Sequence, residues 1–380
     1  SLLAEQFETE QMERLLIHPP ANPLDVANFI VTPQRDAISC DRRLLNARRN
    51  LDAQIGEDHA HRDLGLALPL VWQPPTTDAA LPINAEAIER LERWLQAPQK
   101  EWLKRQGIDA GEWCDPVNDL SPLSLPELDC HQLLNQRLSE QLDLLAHDPE
   151  ARWDVQETED WIARSCGQGF MPPGAAAELE NNRLERRWQN LQKTVLSLGP
   201  LRLQQQPASQ HSALLMAGET AVQISTSRLR SRSLLQSWLK HLLAQLDDAA
   251  CHTAVVCRQD SSAKADQFHI AMRWRALKPQ EADHEIRALQ SLAQQGSELC
   301  WPVPPDSGLA RAMAWSKGEE AADKAFMNRW QGGFSGWAER DRPEQKVCFG
   351  SHCDAELLLS LEGFEAAFQA LYQPLLEARC

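Results

Sequence analysis

Arginines are concentrated in residues 226–233, which read Thr-Ser-Arg-Leu-Arg-Ser-Arg-Ser. Arginine can bind a phosphate through two parallel hydrogen bonds, and serine or threonine hydroxyls can add further ones. The pattern therefore indicates that Arg228, Arg230 and Arg232 contact the phosphate groups of a nucleic acid. A second interpretation stays open at this point, in which these arginines cap the helix that follows and pair with the abundant local acids.

A magnesium-dependent nuclease needs carboxylates that converge on the metal, and a lysine or its equivalent to orient water. Glu178 lies in a predicted helix before the predicted strands, and Glu219 lies in a predicted turn. The stretch 221–225 contains no Asp or Glu, and Lys240, the nearest lysine, lies inside the next predicted helix. Two of three ligands are missing, so we expect no catalytic residue, no bound metal and no cofactor.

Ten cysteines are scattered through the sequence. Cys251, His252 and Cys257 could form half of a zinc site, and the cysteines and histidine of residues 348–353 the other half. The spacing matches no common zinc motif, because two good Cys-x-x-Cys pairs are missing. We therefore interpret these residues as buried or free thiols in a reducing cytoplasm.

The elements that must position the candidate residues lie in 212–246. An apolar run over 212–216, a turn over 217–220 and an alternating stretch over 221–225 predict two strands joined by a tight turn. From Leu229 onward the apolar residues recur at helical spacing, which predicts a long buried helix.

Further strands and many helices are predicted around this stretch. Residues 201–203 predict a strand, and 252–256 with 268–274 predict a hairpin. Helices are predicted over 2–17, 41–54, 83–103 with a break at Pro98, 128–145, 153–166, 175–198, 282–293, 308–315, 321–330 and 357–376.

The chain of 380 residues is long enough for two or three domains. The pattern favours an N-terminal helical connector over 1–67 and a larger domain over 68–380. A net charge of −16 argues against a wholly basic nucleic-acid coat but is compatible with a locally basic channel. No stretch approaches the ~18–20 unbroken apolar residues of a membrane span, and no signal peptide opens the chain. We expect a cytoplasmic protein without membrane contact.

The 13 tryptophans could stack on unpaired bases, at about 1–3 kcal/mol each. Trp94, Trp188 and Trp238 lie on predicted apolar helix faces, which favours packing in the core. Trp330 and Trp337 flank a glycine-rich stretch, where a stacking platform or a partner-contact loop stays open as an alternative.

The predicted order of strand, turn, strand and helix over 212–246 resembles the core of PD-(D/E)XK nucleases, in which two acidic residues and a lysine hold Mg²⁺. Gln223 and Ser225 stand where such a nuclease carries an acidic residue and a lysine. The resemblance implies an α/β fold with a degenerate PD-(D/E)XK (restriction-endonuclease-like) core and many surrounding helices.

Five stretches in a fixed order resemble the C-terminal third of RecC proteins, the gamma chains of exodeoxyribonuclease V (RecBCD). They are 16–29, 91–103, 128–138, 169–179 and 235–243. The resemblance implies that 68–380 is a nuclease-like domain that is not itself a nuclease. Such domains sit against RecB-like and RecD-like subunits, help to part duplex ends and guide single strands.

The sequence thus predicts a non-catalytic DNA-handling and subunit-docking domain of a RecBCD-type helicase-nuclease. It would act in double-strand break repair by homologous recombination, with double-stranded DNA ends and single-stranded DNA as its partners. An active Mg²⁺-dependent PD-(D/E)XK nuclease with an atypical site is the alternative, and a pure assembly module without DNA contact is the third possibility.

Overall fold

The structure, a computed structural model, covers the chain with several gaps in what it describes. The described residues are 22–31, 37, 39, 41–54, 65–68, 70–75, 82–111, 124–148, 153, 158–204, 214–247, 251–260, 264–332, 338–350 and 353–380.

Within these ranges five strands form one mixed sheet in the order β1-β2-β3-β4-β5. The strands are β1 (Leu201–Gln204), β2 (Leu214–Ala217), β3 (Thr220–Arg228), β4 (His252–Arg258) and β5 (Phe268–Trp274). Strands β3 and β4 are parallel, whereas the other neighbours are antiparallel. Parallel neighbours need a crossover connection, and the helix at Ser231–Leu246 supplies it.

Helices surround the sheet. They are α1 (Arg42–Gln54), α2 (Ala85–Gln96), α3 (Pro98–Arg105), α4 (Glu127–His147), α5 (Thr158–Gly167), α6 (Ala175–Leu196), α7 (Ser231–Leu246), α8 (Pro279–Glu298), α9 (Pro305–Ala314), α10 (Glu319–Gln331), α11 (Pro343–Phe349), α12 (Ala355–Leu359) and α13 (Phe364–Glu377). Short 3-10 helices lie at Val26–Asn28, Trp315–Lys317 and Glu339–Asp341.

One face of the sheet packs against α4 and α6. Leu134, Leu184 and Trp188 of these helices are buried in one cluster with Val222 of β3 and Val256 of β4. Burying this apolar surface stabilises the fold by about 25 cal/mol per Å² removed from water.

The opposite face packs against α7. Trp238 and Leu242 of this helix are buried together with Val255 of β4 and with Met272 and Trp274 of β5. Helices α2, α3, α8, α9 and α13 enclose α7 in the same core. The sheet therefore lies between two helical layers, as expected for strands that pair in parallel.

Strand β5 serves both layers because its pairing with β4 is irregular. Val255 pairs with Met272, but the next residue of β4, Val256, pairs with Ile270. The residue skipped on β5 forms a β-bulge. Since side chains alternate along a strand, a regular β5 would place Ile270 and Met272 on one face. With the bulge, Met272 joins the core around α7 and Ile270 packs beside α4 and α6.

The segment 65–72 crosses the predicted boundary between 67 and 68 and packs on the helices at the other end of the sequence. The amide of Leu66 donates to the carbonyl of Val347 at 2.8 Å, and Ala67 donates to Cys348 at 2.9 Å. Trp72, fully buried, donates its amide to Glu362.

The structure confirms much of the local prediction. The hairpin 252–256 with 268–274, the strand near 201–203 and the buried helix after Leu229 are present. Trp94, Trp188 and Trp238 are buried as predicted. The predicted helix 2–17, together with His352 and Trp337, lies outside the described residues. In the part that is described, no helix is long and apolar enough to cross a membrane.

Some helix boundaries were predicted wrongly. The single helix predicted over 357–376 is two helices, α12 and α13, because the backbone turns at Gly363 with a φ of +88°. Trp153 itself lies outside a helix, residues 154–157 lie outside the described residues, and α11 was not predicted at all.

Gly363 also allows a close backbone approach. A Cβ atom at this position would lie 1.7 Å from the carbonyl oxygen of Trp72. We expect Gly363→Ala to lower the free energy of unfolding by about 2–4 kcal/mol in a urea titration, since strain and a backbone clash add. Gly318→Ala is the matched control, because Gly318 has a φ of +101° with no atom near its Cβ position. Equal losses in both variants would contradict a role for the contact with Trp72.

His241 is buried between Trp238 and Trp274, at ring-centroid distances of 5.3 and 5.5 Å. Its Nδ1 lies 2.8 Å from Oγ1 of Thr253. Burial lowers the pKa of His241 from 6.5 to about 3. The unfolded chain therefore takes up a proton at this residue below pH 6.5, while the folded chain stays neutral until about pH 3.

The stability that neutral His241 contributes is thus complete above pH 6.5 and is lost as the pH falls toward 3. Lowering the pH from 7 to 5 is expected to cost about 2 kcal/mol through this residue. His241→Gln should lack that component. Urea titrations of both proteins at pH 7 and pH 5 measure the difference, and an identical pH effect in the variant would contradict it.

Candidate nucleic-acid interface

The parallel strands β3 and β4 both end in arginine. Arg228 and Arg258 are register partners at the carboxyl ends of these strands. In α/β sheets, ligands commonly bind outside the carboxyl ends of parallel strands. The arginine-rich stretch 226–233 therefore starts at the edge of the sheet that is most suited to a ligand.

The three predicted phosphate-binding arginines point to different neighbours. Nη1 of Arg228 lies 3.1 Å from Oδ1 of Asp260, an exposed residue of the β4–β5 connection. Nη1 of Arg230 lies 3.7 Å from Oδ2 of Asp306, a buried residue of α9. Arg232 is exposed on the first turn of α7, with no ion-pair partner among the described residues. Arg228 and Arg230 therefore pair with local acids, whereas the side chain of Arg232 is exposed to solvent.

Thr226 joins β3 to α4. Its Oγ1 lies 2.5 Å from Nδ1 of His131 and 2.8 Å from Oδ1 of Asn135. Burial lowers the pKa of His131, and the charges of Arg232 and Arg258 lower it further. The hydroxyl of Thr226 is thus used inside the protein and is not available to a phosphate.

The serines of the stretch also have local partners. Ser225 and Ser227 lie 3.1 Å apart through their hydroxyl oxygens. Ser233 accepts a hydrogen bond from the amide of Arg230 at 3.1 Å, and the amide of Ser231 donates to Asp306 at 3.2 Å. These contacts order the first turn of α7, so the arginines carried by this turn project from a defined backbone.

The residues considered for a metal site are spread over separate elements. Glu178 is exposed near the start of α6, Glu219 is exposed in the turn between β2 and β3, and Lys240 is exposed on α7. Gln223 donates its side-chain amide to the carbonyl of Ser237 at 2.8 Å, which ties β3 to α7. Among the described residues, no group of three or more His, Cys, Asp or Glu could hold a metal ion.

A cluster around Asp306 was missed in the sequence. Its Oδ2 lies 2.5 Å from Nη2 of Arg342, 3.0 Å from Nη2 of Arg329 and 3.7 Å from Nη1 of Arg230. The arginines come from the β3–α7 loop, from α10 and from the residue before α11. We refer to Arg230, Arg329, Arg342 and Asp306 as the Asp306 cluster.

Glu339 lies beneath this cluster and is fully buried. It accepts hydrogen bonds from the amides of Asp306 and Ser307, at 2.9 and 2.6 Å. Burial acts to raise the pKa of Asp306, but Arg342 and Arg329 outweigh it and hold that pKa below its ordinary value. Burial and the nearby charge of Asp306 raise the pKa of Glu339. The two carboxyl groups therefore differ in acidity, and the arginines face the more acidic one.

A second network joins α4, α6 and β4 through Glu127. This carboxylate lies 2.9 Å from Nη2 of Arg187 and 3.0 Å from Nη2 of Arg258. Nε of Arg187 in turn lies 2.8 Å from Asp266. Burial acts to raise the pKa of Glu127, but Arg187, Arg258 and Arg183 lower it to about 2. The ion pairs of this network join α4 and α6 to the carboxyl end of β4.

The fold and this edge define a mixed α/β domain with arginines around the carboxyl ends of its parallel strands, a surface chemistry suited to phosphate. The family model for the RecC C-terminal domain matches residues 84–316, more than half of the chain, and the chain belongs to this family. This confirms the predicted relationship to RecC, and it implies a role in a RecBCD-type system of DNA repair. No curated protein matches the sequence.

The dispersed acids generate a prediction about catalysis. We expect that Glu178 and Glu219 support no cleavage of single-stranded DNA by the purified chain with Mg²⁺ or Mn²⁺, because a metal needs converging carboxylates. Any cleavage that is seen should therefore be the same in Glu178→Ala and Glu219→Ala. Gel analysis of a labelled strand after prolonged incubation measures this. Cleavage that disappears in Glu178→Ala would show an active site at this helix.

Proposed function

We propose that this chain is a non-catalytic DNA-handling and subunit-docking domain of a RecBCD-type helicase-nuclease. It would work in the cytoplasm, on double-stranded DNA ends and single-stranded DNA, beside RecB-like and RecD-like subunits. The observation that carries the proposal is the ordered set of arginines at the carboxyl edge of the parallel strands, in a member of the RecC C-terminal domain family.

A degenerate PD-(D/E)XK core is part of this proposal. Helix α6, strands β1 to β3, helix α7 and strand β4 follow one another in the order helix, three strands, helix, strand. The second strand of the β2–β3 hairpin carries Gln223, which bonds to α7, and Ser225, which bonds to Ser227. Both side chains stabilise the fold in this structure. The order of elements and these side chains support a nuclease-like scaffold adapted to hold DNA.

The predicted arginines differ in what they can offer to DNA. Arg232 is exposed. Within the described ranges, Arg228 forms an ion pair with the exposed Asp260, and a pair of this type contributes about 0–1 kcal/mol. A phosphate can displace or share such a weak partner. Arg230 forms an ion pair with the buried Asp306, and this contact fixes the position of a side chain that is 45% exposed.

The proposal predicts salt-sensitive DNA binding. We expect Arg228→Ala combined with Arg230→Ala to weaken binding of a fluorescent forked DNA about 10-fold near 0.1 M salt. The slope of log affinity against log salt should flatten by about 1–2, since each lost phosphate contact removes about 0.7–0.9. Fluorescence anisotropy across a salt series, with and without Mg²⁺, measures both quantities.

The matched control is Arg164→Ala combined with Arg287→Ala. These arginines form surface ion pairs on α5 and α8, and their loss changes the net charge equally. Unchanged titration curves in the Arg228 and Arg230 variant would refute DNA contact by this stretch. Cleavage of the fork would instead favour the active nuclease.

A further inference from the structure

The Asp306 cluster places three guanidinium groups around one carboxylate oxygen. Arg230, Arg329 and Arg342 are all within 3.7 Å of Oδ2 of Asp306. They belong to three different elements, so the fold, and not a local sequence motif, brings them together.

In the Asp306 cluster the acidic side chains are buried and the arginine side chains are partly exposed. The side chains of Arg230, Arg329 and Arg342 keep 45%, 28% and 39% of their surface exposed, against 8% for Asp306. Glu339 is fully buried under Asp306. The arginine side chains of the cluster are therefore much more exposed than the carboxylate that binds them.

The cluster carries a surplus of positive charge. Three arginines face the two acids Asp306 and Glu339, so the cluster keeps one positive charge in excess even when both acids are ionised. In a chain with a net charge of −16, such a local excess is a site where an anion can bind.

In the described part of the chain, carboxylates engage only a few of the hydrogen-bond donors in the cluster. Each guanidinium has five N–H groups. Within the described residues, Arg230 and Arg329 each pair with one acid, and Arg342 pairs with Asp306 and Glu339. The donors left over can bind phosphate oxygens in pairs.

The Glu127 network has the opposite arrangement. There Arg187 and Arg258 are 1% and 6% exposed, whereas Glu127 keeps 49% of its side-chain surface exposed. Arg187 and Arg258 are buried where they join the helices to the sheet through Glu127. Both groups contain arginines bound to a carboxylate. The Asp306 cluster differs from the Glu127 network because its arginine side chains are exposed.

We propose that Arg230, Arg329 and Arg342 form a binding site for the phosphates of a DNA backbone, with Asp306 fixing their positions. This inference rests on the proposed DNA-handling function and extends it to α10 and α11. Arg329 and Arg342 lie beyond residues 84–316, the part of the chain matched by the family model. The site continues the basic stretch 226–233 across the surface toward these helices.

The test is DNA binding by the full chain with Arg329→Gln and, separately, Arg342→Gln. With a labelled single strand and a labelled blunt duplex, each variant is expected to bind about 5–10-fold more weakly near 0.1 M salt than the unaltered protein. The slope of log affinity against log salt should fall by about 0.7 for the single strand and about 0.9 for the duplex. A loss with one DNA only would identify which form the site holds.

Two further variants separate binding from folding. Arg329→Lys keeps the charge beside Asp306 but not the planar fork, so it should keep the salt slope and lose part of the affinity. Arg287→Gln removes a comparable surface arginine on α8 and should bind DNA as the unaltered protein does. Thermal unfolding of every variant shows whether it is folded.

The outcomes are distinct. If folded Arg329→Gln and Arg342→Gln bind both DNAs with unchanged affinity and slope while the Arg228 and Arg230 variant is weakened, this site is refuted and the proposed function stands. If the unaltered chain binds no DNA at low salt, this site and the DNA-handling part of the proposed function both fail, and the subunit-docking part remains.

Discussion

The parallel pairing of β3 with β4 is the constraint on which the rest of the structure depends. Two parallel neighbours cannot be joined by a tight turn, so the chain must leave the sheet and return along a crossover. Helix α7 is that crossover, and it is buried along most of its length between the sheet and the helices α2, α8 and α9. Because β3 ends where α7 begins, the arginine-rich stretch must lie at the carboxyl edge of the sheet. The position of the candidate interface is therefore a consequence of the topology.

Carboxylates organise the arginines on both sides of this edge. Glu127 binds buried arginines and closes the layer of α4 and α6 against β4, and Asp306 binds exposed arginines and joins the start of α7 to α9, α10 and α11. Each of these carboxylates binds more than one arginine, so elements that are distant in the sequence are held together through a single side chain. Contacts between arginine and a carboxylate thus join buried elements at Glu127 and position exposed arginines at Asp306. This explains how an acidic chain can present a basic edge.

The sequence predicted the elements whose pattern is local. The alternation over 221–225 predicted β3, and the helical spacing after Leu229 predicted α7, because each signal depends only on neighbours a few residues apart. The division of 357–376 at Gly363 was not predicted, although glycine is a local signal for a turn and the backbone there has a φ of +88°. The Asp306 cluster was missed because its arginines lie on separate elements that only the packed helices bring together. Of the candidate site, the stretch with Arg228, Arg230 and Arg232 was therefore visible in the sequence, and its partners were not.

The two edge strands of the sheet differ in how they are protected. Along β5, Arg275 donates its amide to Ala378, Cys380 donates to Arg273, and Trp274 forms a bridge with Arg379. Residues 378–380 thus occupy backbone groups at the carboxyl end of β5 that another chain would need for adding a strand there. Strand β1, the opposite edge, is only four residues long and exposes Arg202 and Gln204. A short strand with an exposed charge is a poor template for aggregation. In the described part of the chain, the sheet is therefore protected against self-association by backbone pairing at the end of β5 and by the shortness and charge of β1.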